Sequence, residues 1–212
     1  MQNISDQLEL ELSSAVNGFV HGWCTVEKAM ALAKIIVQSS PKICVELGVY
    51  SGRSLIPQGI ALRSLGSGMV YGIDPWKKEN AAEGNCNEAD KKWWESIDLN
   101  AIHNYCMSKI WEHDLDKFVC VIRSQSHHCH QLFDNATLKR RDKIIDLLHI
   151  DGCHSEEAST RDVELWLPRV RIGGHVFFDD VDWTTTKKAQ EMISEKCDKI
   201  DQVGNCAIYK RR

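Results

Sequence analysis

Short apolar runs alternating with stretches of helical periodicity limit what this chain can fold into more than any other feature. Residues 42–47 (KICVEL), 69–73 (MVYGI), 118–122, 144–150 (IIDLLHI) and 175–178 (HVFF) are rich in Val, Ile, Leu and Phe. A sixth run, 206–209, lies near the chain end. Between them, residues 26–38, 52–65, 126–140, 155–167 and 185–196 read as helices, and residues 5–16 add another. In 26–38 the apolar positions are Val26, Ala29, Met30, Ala33, Ile36 and Val37. Residues 79–87 read as a loop, Gly173-Gly174 as a turn, and Trp93, Trp94, Ile97 and Ile102 as one helix. Strands alternating with helices predict a parallel sheet with right-handed crossovers and helices on both faces. The expectation is one α/β domain over 41–212, preceded by helices over 1–40 that either cap the sheet or mediate a dimer.

Composition removes several function classes. Lys and Arg number 26 against 30 Asp and Glu, so the net charge is −4 and no basic face for nucleic acid is expected. The nine cysteines are an odd number, scattered and without a CxxC pair. Cys44 and Cys120 fall inside apolar runs, where a thiol packs as a small hydrophobe. Reduced buried thiols in a cytoplasmic protein are the expectation. The first residues are acidic rather than basic-then-apolar, and no run approaches the roughly 18 apolar residues of a membrane span.

In an open α/β sheet, ligands collect outside the carboxyl ends of the strands. Those ends carry Glu46, Asp74, Asp151 and the pair Asp179-Asp180, so four of five strand ends are acidic. After the first run comes Gly48-Val49-Tyr50-Ser51-Gly52-Arg53-Ser54, a glycine loop opening a helix. Gly48 permits close backbone approach, and free amides near Gly52 and Ser54 suit an anionic group. The spacing G-x-x-x-G differs from G-x-G-x-x-G, which disfavours a nicotinamide oxidoreductase. Asp74 stands where a carboxylate accepts ribose hydroxyls.

These residues resemble a known family. E-L-G-x-Y-x-G-x-S followed by I-D-P is similar to the S-adenosylmethionine site of class I methyltransferases, above all the catechol-type O-methyltransferases. D-G-C-H at 151–154 and G-G-x-x-x-x-D-D at 173–180 resemble the sugar, or macrolide-type, O-methyltransferases. The resemblance covers about residues 42–210. It implies a Rossmann-like, doubly wound, mostly parallel seven-stranded sheet with an N-terminal helical extension, and 76–116 as a substrate-side insertion. It also implies that Glu46, Gly48, Tyr50, Gly52 and Ser54 line the methionine end of the cofactor. Asp74 takes the ribose with Trp76 beside it, Ser124, Gln125 and Ser126 border the adenine, and Asp151 closes the site. Arg123 stands where relatives often carry a small residue.

Asp151, Asp179 and Asp180 would repel one another without a cation, and hard oxygen donors suit Mg²⁺, Mn²⁺ or Ca²⁺. Relatives hold Mg²⁺ with two Asp and one Asn at these positions; the alternative is that Asp179 or Asp180 caps a turn. His154 stands where catechol enzymes place a Lys base and sugar-modifying relatives a His. The expected chemistry is metal-assisted removal of a proton by His154, with Asp151 beside it, and methyl transfer to a hydroxyl of a small molecule or sugar-containing metabolite. The rivals are a metal-independent O- or N-methyltransferase of the same fold and a non-catalytic nucleoside-binding module.

His127-His128-Cys129-His130 looks metal-like only in composition, since neighbours on a helix diverge. The eight histidines other than His154 receive no chemical role. Trp76, Trp93, Trp94, Trp111 and Trp183 either wall an acceptor or pack helices on the sheet.

Overall fold

A computed structural model describes residues 4–81, 88–134 and 145–212. Its centre is a seven-stranded sheet of β1 (Ile43–Leu47), β2 (Met69–Ile73), β3 (Val119–Ile122), β4 (Ile145–Ile150), β5 (Val170–Phe178), β6 (Cys197–Val203) and β7 (Cys206–Arg211). The order is β3-β2-β1-β4-β5-β7-β6. The first five strands are parallel, and β7 joins β5 and β6 antiparallel. The order reverses between β1 and β4, the place where ligands sit in such sheets.

Strand side chains alternate between two apolar layers. Cys44, Leu147 and Phe177 face one core with Leu12, Leu32, Ile36 and Ile60. Val45, Leu148 and Phe178 face the other with Val163, Trp166 and Ile193. The N-terminal helices α1 (Asp6–Asn17) and α2 (Val26–Ser39) belong to the first layer, so they cap the sheet. Ser5 and Thr25 cap their N-termini through side-chain oxygens. Helix α3 (Leu55–Leu65) follows the glycine loop.

Several sequence expectations change. The Trp-rich stretch contains α4 (Lys78–Ala81), α5 (Glu88–Ser96) and α6 (Leu99–Glu112) rather than a loop and one helix. Asp98 breaks the run, because its carboxylate accepts from the Asn100 and Ala101 amides at 3.0 and 3.1 Å and starts a new helix. The helix expected over 126–140 is only α7 (Ser126–Cys129), continued by a 3₁₀ turn over His130–Phe133; residues 135–140 lie outside those described. The same holds for 82–87 of the expected loop, including Cys86. Gly173 and Gly174 lie within β5, beside a register shift against β4, instead of forming a turn ahead of it. Strand β6 completes the seven strands that the resemblance implies, in a segment where the sequence pattern marks none. Helices α8 (Glu156–Trp166) and α9 (Lys187–Ser194) complete the second layer. Among the described residues no helix is long and apolar enough to cross a membrane.

Candidate functional site

The carboxyl ends of β1, β2, β4 and β5 open on a cavity of about 1000 Å³. Gly48 makes this convergence possible. Its φ is +82°, and a Cβ there would stand 2.0 Å from the Asp151 carbonyl oxygen. Only a residue without a side chain lets the loop after β1 cross the end of β4 so closely. Gly52, at φ +86°, is similarly closed by the Cys106 sulfur.

Asp74 holds the loop's shape. Its Oδ2 accepts the Val49 and Tyr50 amides at 3.0 and 2.9 Å, and its Oδ1 accepts the Trp76 amide at 2.6 Å. Burial raises its pKa, opposed by these amides. Tyr50 and Trp76 sit in the left-handed region at φ 50° and 46°, a strain these bonds sustain. Trp76 is buried, and its indole Nε1 donates to the Tyr50 carbonyl at 2.8 Å. A carboxylate offers about four acceptor positions, so Asp74 keeps one for a ligand hydroxyl rather than two. Gln125 and Ser126 line the cavity. The Ser124 amide instead donates to the Asp74 carbonyl at 3.1 Å, tying the end of β3 to the end of β2.

Below the cavity lies a buried ionic network. Glu46 is fully buried and accepts from Ser54 Oγ at 2.8 Å, from Gln58 Nε2, and from His149 Nδ1 at 3.1 Å. Glu46 is therefore floor rather than wall, whereas Ser54 reaches the cavity. His149 Nε2 lies 2.6 Å from Asp179 Oδ2, and Lys28 Nζ lies 2.8 Å from Asp179 Oδ1 and 3.3 Å from Asp151 Oδ2. Carboxylates at both ring nitrogens require the imidazolium form. Burial alone would lower the His149 pKa, but its bonds to Asp179 and Glu46 push it up to about 10. Lys28 follows the same logic: burial opposes the ammonium, and Asp151 and Asp179 outweigh it. Burial would raise Asp179, yet His149 and Lys28 hold it well below the carboxylate range. Burial and the Asp179 charge push Asp151 up.

His154 and Asp180 stand at the cavity edge. His154 Nε2 is 2.6 Å from Asp180 Oδ2, a close approach outside hydrogen-bond alignment. Asn205 Nδ2 donates to Asp180 Oδ1 at 2.7 Å, and Trp183 packs on the His154 ring with centroids 4.8 Å apart. Burial raises the Asp180 pKa, and His154 opposes it. The opposite rim is aromatic. Trp23 stacks on Tyr50 at 5.2 Å, and Trp93 contacts Trp23 and Trp94 at 5.4 and 4.7 Å.

Asp151, Asp179 and Asp180 do not form the expected common ligand set. Among the described residues, two donor groups lie within 4.8 Å: Asp151 with His154 and Asp180, and His149 with Asp179 and Cys206. Asp179 has turned inward because both of its oxygens are bonded to cationic side chains. His127 to His130 belong to neither group; His127 and His128 stack edge to face. The eight described cysteines are free thiols, six of them buried.

Sequence reasoning missed Lys28 and His149. Lys28 lies off the apolar stripe of its helix and 123 residues from Asp151. His149 offered a readable signal, a polar residue in an apolar strand two positions before an acidic strand end.

A profile for the methyltransferase domain matches residues 45–181. A comparison with curated proteins gave no match. Among solved structures, an O-methyltransferase from Bacillus cereus in complex with S-adenosylhomocysteine aligns with a TM-score of 0.61 and 16% identity, over 99% of this chain and 92% of that one. The O-methyltransferase TomG from Streptomyces achromogenes, involved in tomaymycin synthesis and bound to S-adenosylmethionine, gives 0.64 and 14%, over 100% and 92%. The O-methyltransferase NovP gives 0.65 and 16%, over 95% and 87%. These likenesses fix the fold, and the profile covers most of the sheet and every acidic strand end. The chain belongs to the methyltransferase domain family and is an enzyme of the class I, S-adenosylmethionine-dependent kind.

Proposed function

We propose that this enzyme transfers a methyl group to a hydroxyl of a small, ring-bearing acceptor such as a phenol or a sugar-containing metabolite. The observation that carries this reading is the shared cavity, which has the glycine loop on one side and the His154–Asp180 pair on the other. Two of the similar folds described above, TomG and NovP, are themselves O-methyltransferases.

S-adenosylmethionine supplies an activated methyl on a sulfonium. The loop at Gly48 to Ser54, the remaining acceptor position of Asp74 and the Gln125–Ser126 edge suit its polar and ribose parts. A cavity of about 1000 Å³ has room for a second small molecule. His154, held at the cavity edge beside Asp180, takes the acceptor's hydroxyl proton on an unprotonated ring nitrogen. The freed oxygen pair forms the new O–C bond, the C–S bond breaks, and sulfur keeps its electrons. Positioning within one cavity supplies most of the remaining acceleration. Trp183 over His154, and Trp23 and Trp93 across the opening, give flat faces against which a ring stacks.

The divalent cation expected at Asp151, Asp179 and Asp180 does not fit this arrangement. Both oxygens of Asp179 already bond cationic side chains, and Lys28 also stands beside Asp151. No step is therefore routed through a metal.

The test is incubation of the purified enzyme with S-adenosylmethionine and a panel of phenols, catechols and glycosides. Release of S-adenosylhomocysteine with an O-methylated product supports the reading. Methyl transfer confined to amines, or none with any hydroxyl, overturns it.

A further inference from the structure

Acidic strand ends that face one point need positive charge, and this fold supplies it from its own chain. Lys28 lies in the first turn of α2, whose Thr25 cap accepts the Lys28 amide at 3.2 Å. From there the side chain reaches under the sheet end and is 8% exposed. Its Nζ bridges Asp179 at 2.8 Å and Asp151 at 3.3 Å. On the far side of Asp179 the fully buried His149 bonds the other oxygen.

We propose that the Lys28 ammonium is the resident cation of the strand-end cluster and holds the place a divalent metal would otherwise take. Three observations support it. The two carboxylates that would share a metal already share Lys28. A divalent ion at Asp151 would lie beside that ammonium, and like charges at such distances repel strongly in a dry site. The other donor group found among the described residues, Asp151 with His154 and Asp180, contains the proposed base, whose proton-accepting role ends once its nitrogen ligates a metal. Lys28 acts here as a positioning residue: it fixes Asp151 and Asp179 and neutralises them.

This inference deepens the methyl-transfer reading, but its test uses metal binding alone, so the two fail separately. Mn²⁺ is titrated into the full chain and followed by the electron paramagnetic resonance of the free ion. Wild type is expected to leave Mn²⁺ free into the millimolar range. Lys28→Met keeps the aliphatic stem, removes the charge, and is expected to bind Mn²⁺ at least about tenfold tighter, because Asp151 loses its ammonium partner and Asp179 one of its two cations. Adding Asp151→Asn to Lys28→Met should abolish the gain. Stoichiometric Mn²⁺ binding by wild type that Asp151→Asn removes would overturn the proposal, as would a folded Lys28→Met with no gain. If Lys28→Met does not fold, the wild-type and Lys28→Arg titrations decide alone: free Mn²⁺ in both supports the proposal, and stoichiometric binding by either overturns it.

Discussion

The floor and the rim of the cavity are built in opposite ways. On the floor, Glu46 and His149 are 0% exposed and Asp179 is 5% exposed, and each carboxylate is met by a cation or a hydrogen-bond donor. On the rim, Trp23, Trp93 and Trp183 are 67%, 38% and 41% exposed and touch mostly one another, Tyr50 and His154. Buried charge is tolerated only when fully paired, so the floor allows one arrangement and little substitution. Exposed aromatics carry no such constraint. The floor fixes where the strand-end groups stand, and under the proposed function the rim is what meets the acceptor.

The sharpest way to break this contrast is to remove the floor's central carboxylate. Asp179→Ala leaves Lys28 and His149 buried without their shared partner, and the expected loss is about 3–5 kcal/mol of folding stability. Urea unfolding measures it. A rim substitution should change the same midpoint by no more than about 0.5 kcal/mol. A loss under about 1 kcal/mol for Asp179→Ala would show that the floor is not held by charge pairing.

His154 lies at the boundary of the two regions, with a side chain 33% exposed. His154→Ala should lower the turnover of methyl transfer by about 10²–10⁴-fold, the range of a general base. The melting temperature should stay nearly constant, since one partly exposed ionic contact is lost. Asp180→Asn should lower turnover less. Unchanged turnover in His154→Ala would assign the proton to another group.

The floor also predicts a pH dependence that the rim lacks. Folding raises His149 from 6.5 to about 10, so the folded chain keeps a proton that the unfolded chain releases. That stabilisation is whole below about pH 6.5 and fades as pH rises through about 10, at up to roughly 1.4 kcal/mol per pH unit. Asp179 is depressed, so its contribution is present above its ordinary value of 3.8 and is lost as acid protonates it. Unfolding midpoints should therefore decline from about pH 7 to about pH 9.5, and His149→Gln should flatten that decline. A decline of equal slope in His149→Gln would place its origin elsewhere.

What was legible in the sequence follows the same division. The five parallel strands were readable because both faces of each are buried, which leaves continuous apolar runs. Strand β6 was not, because CDKIDQV is mostly exposed at the sheet edge and carries no apolar alternation. Asp98 was a readable cap overlooked inside a helical-looking run. At the site, the acidic strand ends and Gly48 were visible because they sit at fixed places in the topology. Lys28 was not, because its meaning depends on α2 lying across the sheet end, a long-range packing result that no local pattern encodes. The metal expectation counts the carboxylates alone, while the Lys28 ammonium that meets two of them comes from a distant helix.

The smallest expected effect lies on the rim, and it sharpens the comparison most finely. Trp23 stacks on Tyr50 at an interplanar angle of 28° and is largely exposed. Removing it costs one aromatic contact with an incoming ring, about 0.5–1.5 kcal/mol, or roughly 2–13-fold in acceptor KM. The base and the buried network are untouched, so kcat should hold. The affinity for S-adenosylmethionine, measured calorimetrically, should hold within about twofold, because Trp23 meets the loop through the face of Tyr50 rather than through its backbone. Flat acceptors should suffer and small aliphatic alcohols should not, because only a ring recovers stacking energy. Equal KM changes for both acceptor types would mean that Trp23 packs the loop instead of reading the acceptor. A fall in kcat with KM constant would mean that rim and floor are coupled through Tyr50, whose amide the Asp74 carboxylate holds.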